Sequence, residues 1–348
     1  MKRYIYITLA MVAGVFAFVS CNEDENITPS GNYSPIRGAF PQGDSEYDAL
    51  IKQISEEYGV YLLYKDITEQ DLNREWTSTG TGPVYVGGPK EERENGVWNL
   101  PDEYLPFYVN FFYNYIFPNI TPEFAQSTFP VKIYMIDNLR SEPRDFSEGE
   151  GDESSTPGTD TEKFESIKLG NFDNWAISFK DDVVNGGNDE LAIKKQRCIF
   201  MNKAIWNARS KNEIIIPDEF WNGYVFSNKD TLIYDNPESE HYNYKLGFPD
   251  DIYYHFATTG NSDDVWRPTF VVKHTDSWHK DNIGNGENGY DLFGAFIRNA
   301  MWLTPDEFTE RYSPEKNPMV KEKYDLVVNL MKETYGIDLV GIAKGLDK

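Results

Sequence analysis

Two hydrophobic periods alternate along the chain, and that alternation constrains its fold more than any other feature. "DSEYDALIKQISEEYG" places Tyr47, Leu50, Ile51, Ile54 and Tyr58 on one helical face, with Asp44 positioned to cap the start and Gly59 to end it. The runs "VYLLYKDI" (Val60–Ile67), "VKIYMID" (Val131–Asp137) and "NWAISF" (Asn174–Phe179) are short and β-prone. Between them "YLPFYVNFFYNYIF", Tyr104–Phe117, reads as an aromatic helix of the core, and "KKQRCIFMNKAIWNARS", from Lys194, as a helix apolar on one face. "TPDE", Thr304–Glu307, is a capping box with Pro at the first helical position. The last long helix aligns Val320, Tyr324, Val327, Val328, Met331 and Tyr335 and stops at Gly336. Short strands scattered among helices predict an α+β fold: a small mixed sheet flanked by helices.

The N-terminus fixes the expected compartment. Lys2 and Arg3 precede an apolar run, Tyr4–Val19, that falls short of the roughly 20 residues a spanning helix needs, so residues 1–20 read as a processed signal peptide. "FVSC" resembles a bacterial lipobox with Phe18 where Leu is usual, which implies cleavage before Cys21 and lipid on its thiol. The acidic "NEDE" that follows resembles the export tag carrying lipoproteins of Bacteroidota to the outer face of the outer membrane. A lipidated Cys21 leaves Cys198 with no disulfide partner, so stability rests on the core. With 40% hydrophobic and 15% aromatic residues, material for one is ample.

Residues 21–39 are polar with Pro and Gly and read as a flexible tether, leaving residues 40–348 as one domain. Within it, 77–96 is a loop with one short strand near Val84–Val86, and 141–163 is an acidic insert of the composition that favours disorder. A formal net charge of −24 argues against nucleic acid and against direct binding to an anionic lipid surface.

The order of elements from about Phe40 onward resembles the zinc metallopeptidase lipoproteins that accompany TonB-dependent nutrient importers in Bacteroidota. The matching pieces are "YGVYLLYKDI", the aromatic helix, "VKIYMID", "FMNKAIW", "IPDEFW" and "YDLFGAFIRNAMWLTPDEF" with its terminal helix. The resemblance implies a zincin-like domain whose "FMNKAIW" helix should carry HExxH and whose later helix should supply a Glu as third ligand. Two His at i and i+4 share a helical face and offer lone pairs to Zn²⁺, while the Glu between them takes a proton from the bound water. In this chain Asn202 and Trp206 stand at the His positions, Lys203 at the Glu position and Ala295 near the third-ligand position. Indole and alanine have no lone pair to give, and an ammonium repels the cation. Independently of alignment, none of the four His (His241, His255, His274, His279) stands four residues from another.

Other motifs carry little. "DNIGNGENGYDL" puts Ile283 and Leu292 where a calcium loop needs oxygen ligands. Gly80, Gly82 and Gly87 lack dinucleotide spacing, and Cys198 reads as a small buried hydrophobe.

The implied protein is therefore a cell-surface lipoprotein related to zinc metallopeptidases that has lost its metal site and needs no cofactor. Its partners would be the outer-membrane lipid anchor through Cys21, a TonB-dependent transporter complex, and a glycan or peptide ligand. Trp206 is expected to fill the vacated metal space and Lys203 to reach a carboxylate. Trp206 and Trp221 could form a stacking surface or simply plug the core. The alternative is a hydrolase, using zinc through other ligands or a pair of carboxylates.

Overall fold

A computed structural model of the chain describes residues 36–73, 84–88, 96–142, 163–168, 173–186, 190–224, 233, 236–251, 269–270 and 291–346. The chain divides into two units, Met1–Ala39 and Phe40–Lys348. Cys21 and the leader, most of the acidic insert, and His255, His274 and His279 lie outside the described residues.

The first helix of the larger unit, α1 (Glu46–Tyr58), starts at Ser45 and not at Asp44. The reason is the spacing Ser45-x-x-Asp48: the Ser45 hydroxyl accepts from the Asp48 N–H, while the Asp48 carboxylate accepts from the Ser45 N–H at 3.0 Å. The other Asp48 oxygen takes the Tyr64 hydroxyl at 2.7 Å, pinning the start of α1 to the chain leaving the first strand. Gly59 ends the helix in the left-handed region (φ 71°), its N–H returned to the Ser55 carbonyl.

Strand β1 (Tyr61–Leu63) follows at once. Helix α2 (Leu105–Phe111) then runs without a break into a π-helical turn, Phe112–Ile116, and a 3₁₀ turn, Phe117–Asn119. Helix α3 (Pro122–Thr128) is capped by Thr121 and leads into β2 (Lys132–Met135). The edge strand β3 (Ile167–Lys168) and β4 (Asn174–Ile177) complete a four-stranded sheet of order β1-β2-β4-β3, in which β1, β2 and β4 are parallel and β3 antiparallel. Every residue of β4 and all but the first of β2 are buried, so these strands read as continuous apolar runs and not as alternating ones. Tyr108 of α2 closes the sheet end: its hydroxyl donates to the Ile136 carbonyl and accepts from the Phe179 N–H, each at 2.9 Å. The aromatic helix is core, as its composition predicts, with Tyr108, Phe111 and Phe112 sealed from solvent.

Two short helices, Glu69–Asn73 and Asp181–Gly186, lie beside the sheets, and the remaining helices are α4 (Glu190–Ser210), α5 (Leu292–Trp302), α6 (Pro305–Arg311), α7 (Pro318–Glu333) and α8 (Leu339–Lys344). Helix α5 is buried at every position, which is what an apolar circumference requires. Helix α6 has the predicted box, Thr304 with Glu307. Helix α8 has no signal strong enough to read beforehand: beyond Gly336 (φ 66°), Asp338 caps a six-residue helix by accepting from the Gly341 N–H at 2.8 Å. Arg197 of α4 holds its far end, donating to the Ile342 and Ala343 carbonyls at 2.6 and 2.8 Å.

The fold is thus α+β, with differences in detail. The run Val60–Ile67 is broken at Asp66 (φ 57°), so Ile67–Thr68 pairs separately and antiparallel with Val97–Trp98. The ends of the acidic insert are ordered strand: Arg140–Glu142 lies between Val84–Val86 and Lys163–Phe164 in a three-stranded sheet. Among the described residues no helix is long and apolar enough to cross a membrane.

Candidate functional site

Helices α4 and α5 run antiparallel, and two cross-links fix their register. Near one end the buried Cys198 thiol donates to the Met301 carbonyl at 3.2 Å; at the other, Arg209 forks onto the Asp291 carboxylate at 2.5 and 2.8 Å. Burial outweighs the nearby Arg197 and Lys194 charges and pushes the Cys198 thiol up to about 12, which makes it a packing group and not a nucleophile. Asp291 is also the cap of α5, accepting from the Gly294 N–H at 2.9 Å, and the fully buried Arg298 stands 3.5 Å from it. Burial alone raises the Asp291 pKa, but the Arg209 charge and hydrogen bonds, then Arg298 and the Gly294 N–H, outweigh it and hold the carboxyl below its usual range. Gly294 is obligatory here: a Cβ would lie 1.8 Å from the Asp291 Oδ2.

Between these cross-links α4 carries Asn202, Lys203 and Trp206, residues of one helical flank. Asn202 is 8% exposed, Lys203 half-buried and Trp206 48% exposed. Trp206 therefore does not fill a vacated space. The buried face of α4 is made instead by Met201, Ala204, Ile205 and Ala208, and Ala295 of α5 is fully buried as well. Lys203 does not reach a carboxylate either: among the described residues no acidic group lies within ion-pair distance, and desolvation draws its pKa downward. The Asn202 amide likewise has no hydrogen-bond partner among the described residues.

The two tryptophans stand at the ends of one chain of contacts. The Arg209 guanidinium lies 5.9 Å from the Trp206 ring centroid and 5.5 Å from that of Phe293. Phe293 meets Phe220 edge-on at 5.2 Å, and Phe220 meets Trp221 at 4.9 Å. Trp221, in the 3₁₀ turn Asp218–Trp221, is partly buried against the core, so it is less a platform than Trp206. Sequence reasoning missed Arg209 and Asp291, which hold this arrangement together. An Asp directly before the apolar run Leu292–Trp302 is a cap signal that marks the second of them.

The donor set does not fit a catalytic zinc ion. One side-chain amide, one ammonium, an indole on the surface and a buried methyl group supply neither the three ligands nor the general base that zinc hydrolysis needs. Among the described residues no group of three or more His, Cys, Asp and Glu is placed to hold a metal ion, and His241 is exposed in a turn.

A second polar cluster lies where α5 and α6 meet the turn before Asp250. Asp250 is completely buried and accepts from Arg311 at 2.5 Å and from the Tyr244 hydroxyl at 2.6 Å, while its backbone N–H donates to the Tyr312 hydroxyl at 3.2 Å. Asn299 of α5 donates to the Asp250 carbonyl at 2.7 Å. Burial and then Asp250 push the Tyr244 hydroxyl far above its ordinary range. With its phenols locked neutral and its carboxylate taken by Arg311, the cluster fastens a turn to two helices.

No family model matches the chain, and no curated protein matches it. Among solved structures it is similar to one described as a "putative zinc-binding metallo-peptidase" from Bacteroides caccae, at 10% sequence identity and a TM-score of 0.38, covering 88% of this chain and 93% of that one. Similarity at that level carries no residue-level correspondence.

Proposed function

We propose that this protein is a non-catalytic surface lipoprotein with a zincin-like domain, which binds a glycan or peptide for a TonB-dependent nutrient importer. The observation that carries the reading is the flank of α4: where metal-dependent hydrolysis needs two imidazoles and a carboxylate, it presents an amide, an ammonium with no acidic partner among the described residues, and a half-exposed indole. These groups cannot activate water, but they can hold a ligand through hydrogen bonds, charge and apolar area. The order of elements supports the zincin-like architecture, with α1, β1, the aromatic helix, β2, α4, the 3₁₀ turn and α5 following in the sequence the family resemblance implies. The lipobox-like "FVSC" and the acidic "NEDE" support export and anchoring through Cys21.

The reading is tested in three measurements. Mature protein should begin at Cys21 and partition with outer membranes, and Cys21→Ala should release it. Purified protein should bind oligosaccharides or peptides without cleaving them. Turnover of either would establish the hydrolase instead, and a soluble, unlipidated wild-type protein would remove the anchor.

A further inference from the structure

We infer that the α4 flank of Asn202, Lys203 and Trp206 binds the uronic-acid unit of a saccharide, with the ring on the Trp206 indole and the carboxylate between the Lys203 ammonium and the Asn202 amide. The inference rests on the binding function proposed above and names its ligand class.

Three observations converge. Lys203 and Asn202 precede Trp206 by three and four residues, the spacings at which side chains on a helix are surface neighbours, roughly 5–6 Å apart at Cβ. All three can therefore touch one small molecule. Asn202 is 8% exposed as a residue, and its amide makes no hydrogen bond among the described residues and is not sealed from solvent, so it is open to a ligand. Lys203 is a cation with no ion-pair partner among the described residues, in a chain with 57 acidic residues against 33 basic ones. Its half-burial draws its pKa down with nothing to compensate. A carboxylate satisfies both groups, one oxygen meeting the ammonium and the other the amide N–H.

The same residues exclude other anions and other carriers of a carboxylate. A phosphate dianion calls for more than one cation, and Arg209, the next on this flank, is already forked onto Asp291. A peptide carboxylate is captured mainly by backbone N–H groups, and those of a mid-helix segment such as 202–206 are spent on the helix itself. The half-exposed indole, braced from one side by Arg209, offers the flat apolar surface that the C–H face of a pyranose covers. A neutral sugar would use that surface but leave Lys203 unpaired. The long-range repulsion of the net negative chain is screened within roughly 8–10 Å at physiological salt, so the local cation decides.

The test is calorimetric titration of the full mature chain with tetragalacturonate and with glucuronate-substituted xylotetraose, each beside its methyl ester. The acids should bind at least tenfold more tightly than the esters. Lys203→Met should erase that difference without shifting the melting temperature, Lys203→Arg should retain most of it, and Trp206→Ala should weaken acid and ester alike. Equal binding of acid and ester would overturn the carboxylate assignment while leaving the protein a glycan binder. Binding of neither saccharide, or of a peptide with a free C-terminal carboxylate and not of its amide, would overturn the saccharide. Cleavage of the titrant would overturn the binding function itself.

Discussion

Asp291 sits between two guanidiniums, one of them beyond the reach of water, and this makes it the side chain whose loss should cost most. Replacing it by Asn breaks a buried ion pair with Arg209 and removes a carboxylate from beside the buried Arg298, a loss worth about 3–5 kcal/mol. Because its folded-state pKa lies below that of the unfolded chain, the stabilisation is complete above the unfolded value of about 3.9 and is lost as pH falls through the folded one. Urea melts between pH 2 and 6 should therefore show an acid-limb loss in the wild type that is reduced in Asp291→Asn. Trp206 stands at the opposite extreme. Its half-exposed ring predicts that Trp206→Ala changes stability by no more than about 0.5–1 kcal/mol, whereas Phe220→Ala, in the sealed core, should lose about 3–5 kcal/mol by the same melts.

At the scale of the element, α5 decides what could be rebuilt. The variant combining Asn202→His, Lys203→Glu, Trp206→His and Ala295→Glu would create ligands of the right chemical types. The three α4 changes fall on a flank that reaches solvent and should be tolerated. Ala295→Glu instead drives a carboxylate into a helix with no exposed position, where overpacking and desolvation add to several kcal/mol. Melting the single and triple variants separately should place nearly all the loss on Ala295→Glu. Helix α6 was legible because its signal is local, Thr304 with Glu307 three residues on, whereas the equally local cap of α5, Asp291 before an apolar run, was passed over. The exposure of Trp206 was not legible, since apolar spacing along α4 cannot say which of several apolar residues the neighbouring helix will cover. Helix α8 escaped notice because its six residues depend on Arg197, some 145 positions away, to satisfy its last carbonyls.

For the whole molecule, the donor set on α4 and α5 predicts that Zn²⁺ at micromolar levels will not raise the melting temperature, since an ion bound only by the folded state would stabilise it by mass action. A zinc-dependent rise of several degrees with stoichiometric metal would point to ligands among residues 252–290. The parallel pairing of the main sheet has a further consequence, for the order of events as the chain folds. Tyr61 pairs with Lys132 and Lys132 with Asn174, so the central strands meet only after loops of roughly seventy and forty residues have closed. No two of those three strands can form a local hairpin that would nucleate the sheet early. A chain built this way stays open until most of it is available, so its refolding from urea should be slow and limited by assembly of β1, β2 and β4.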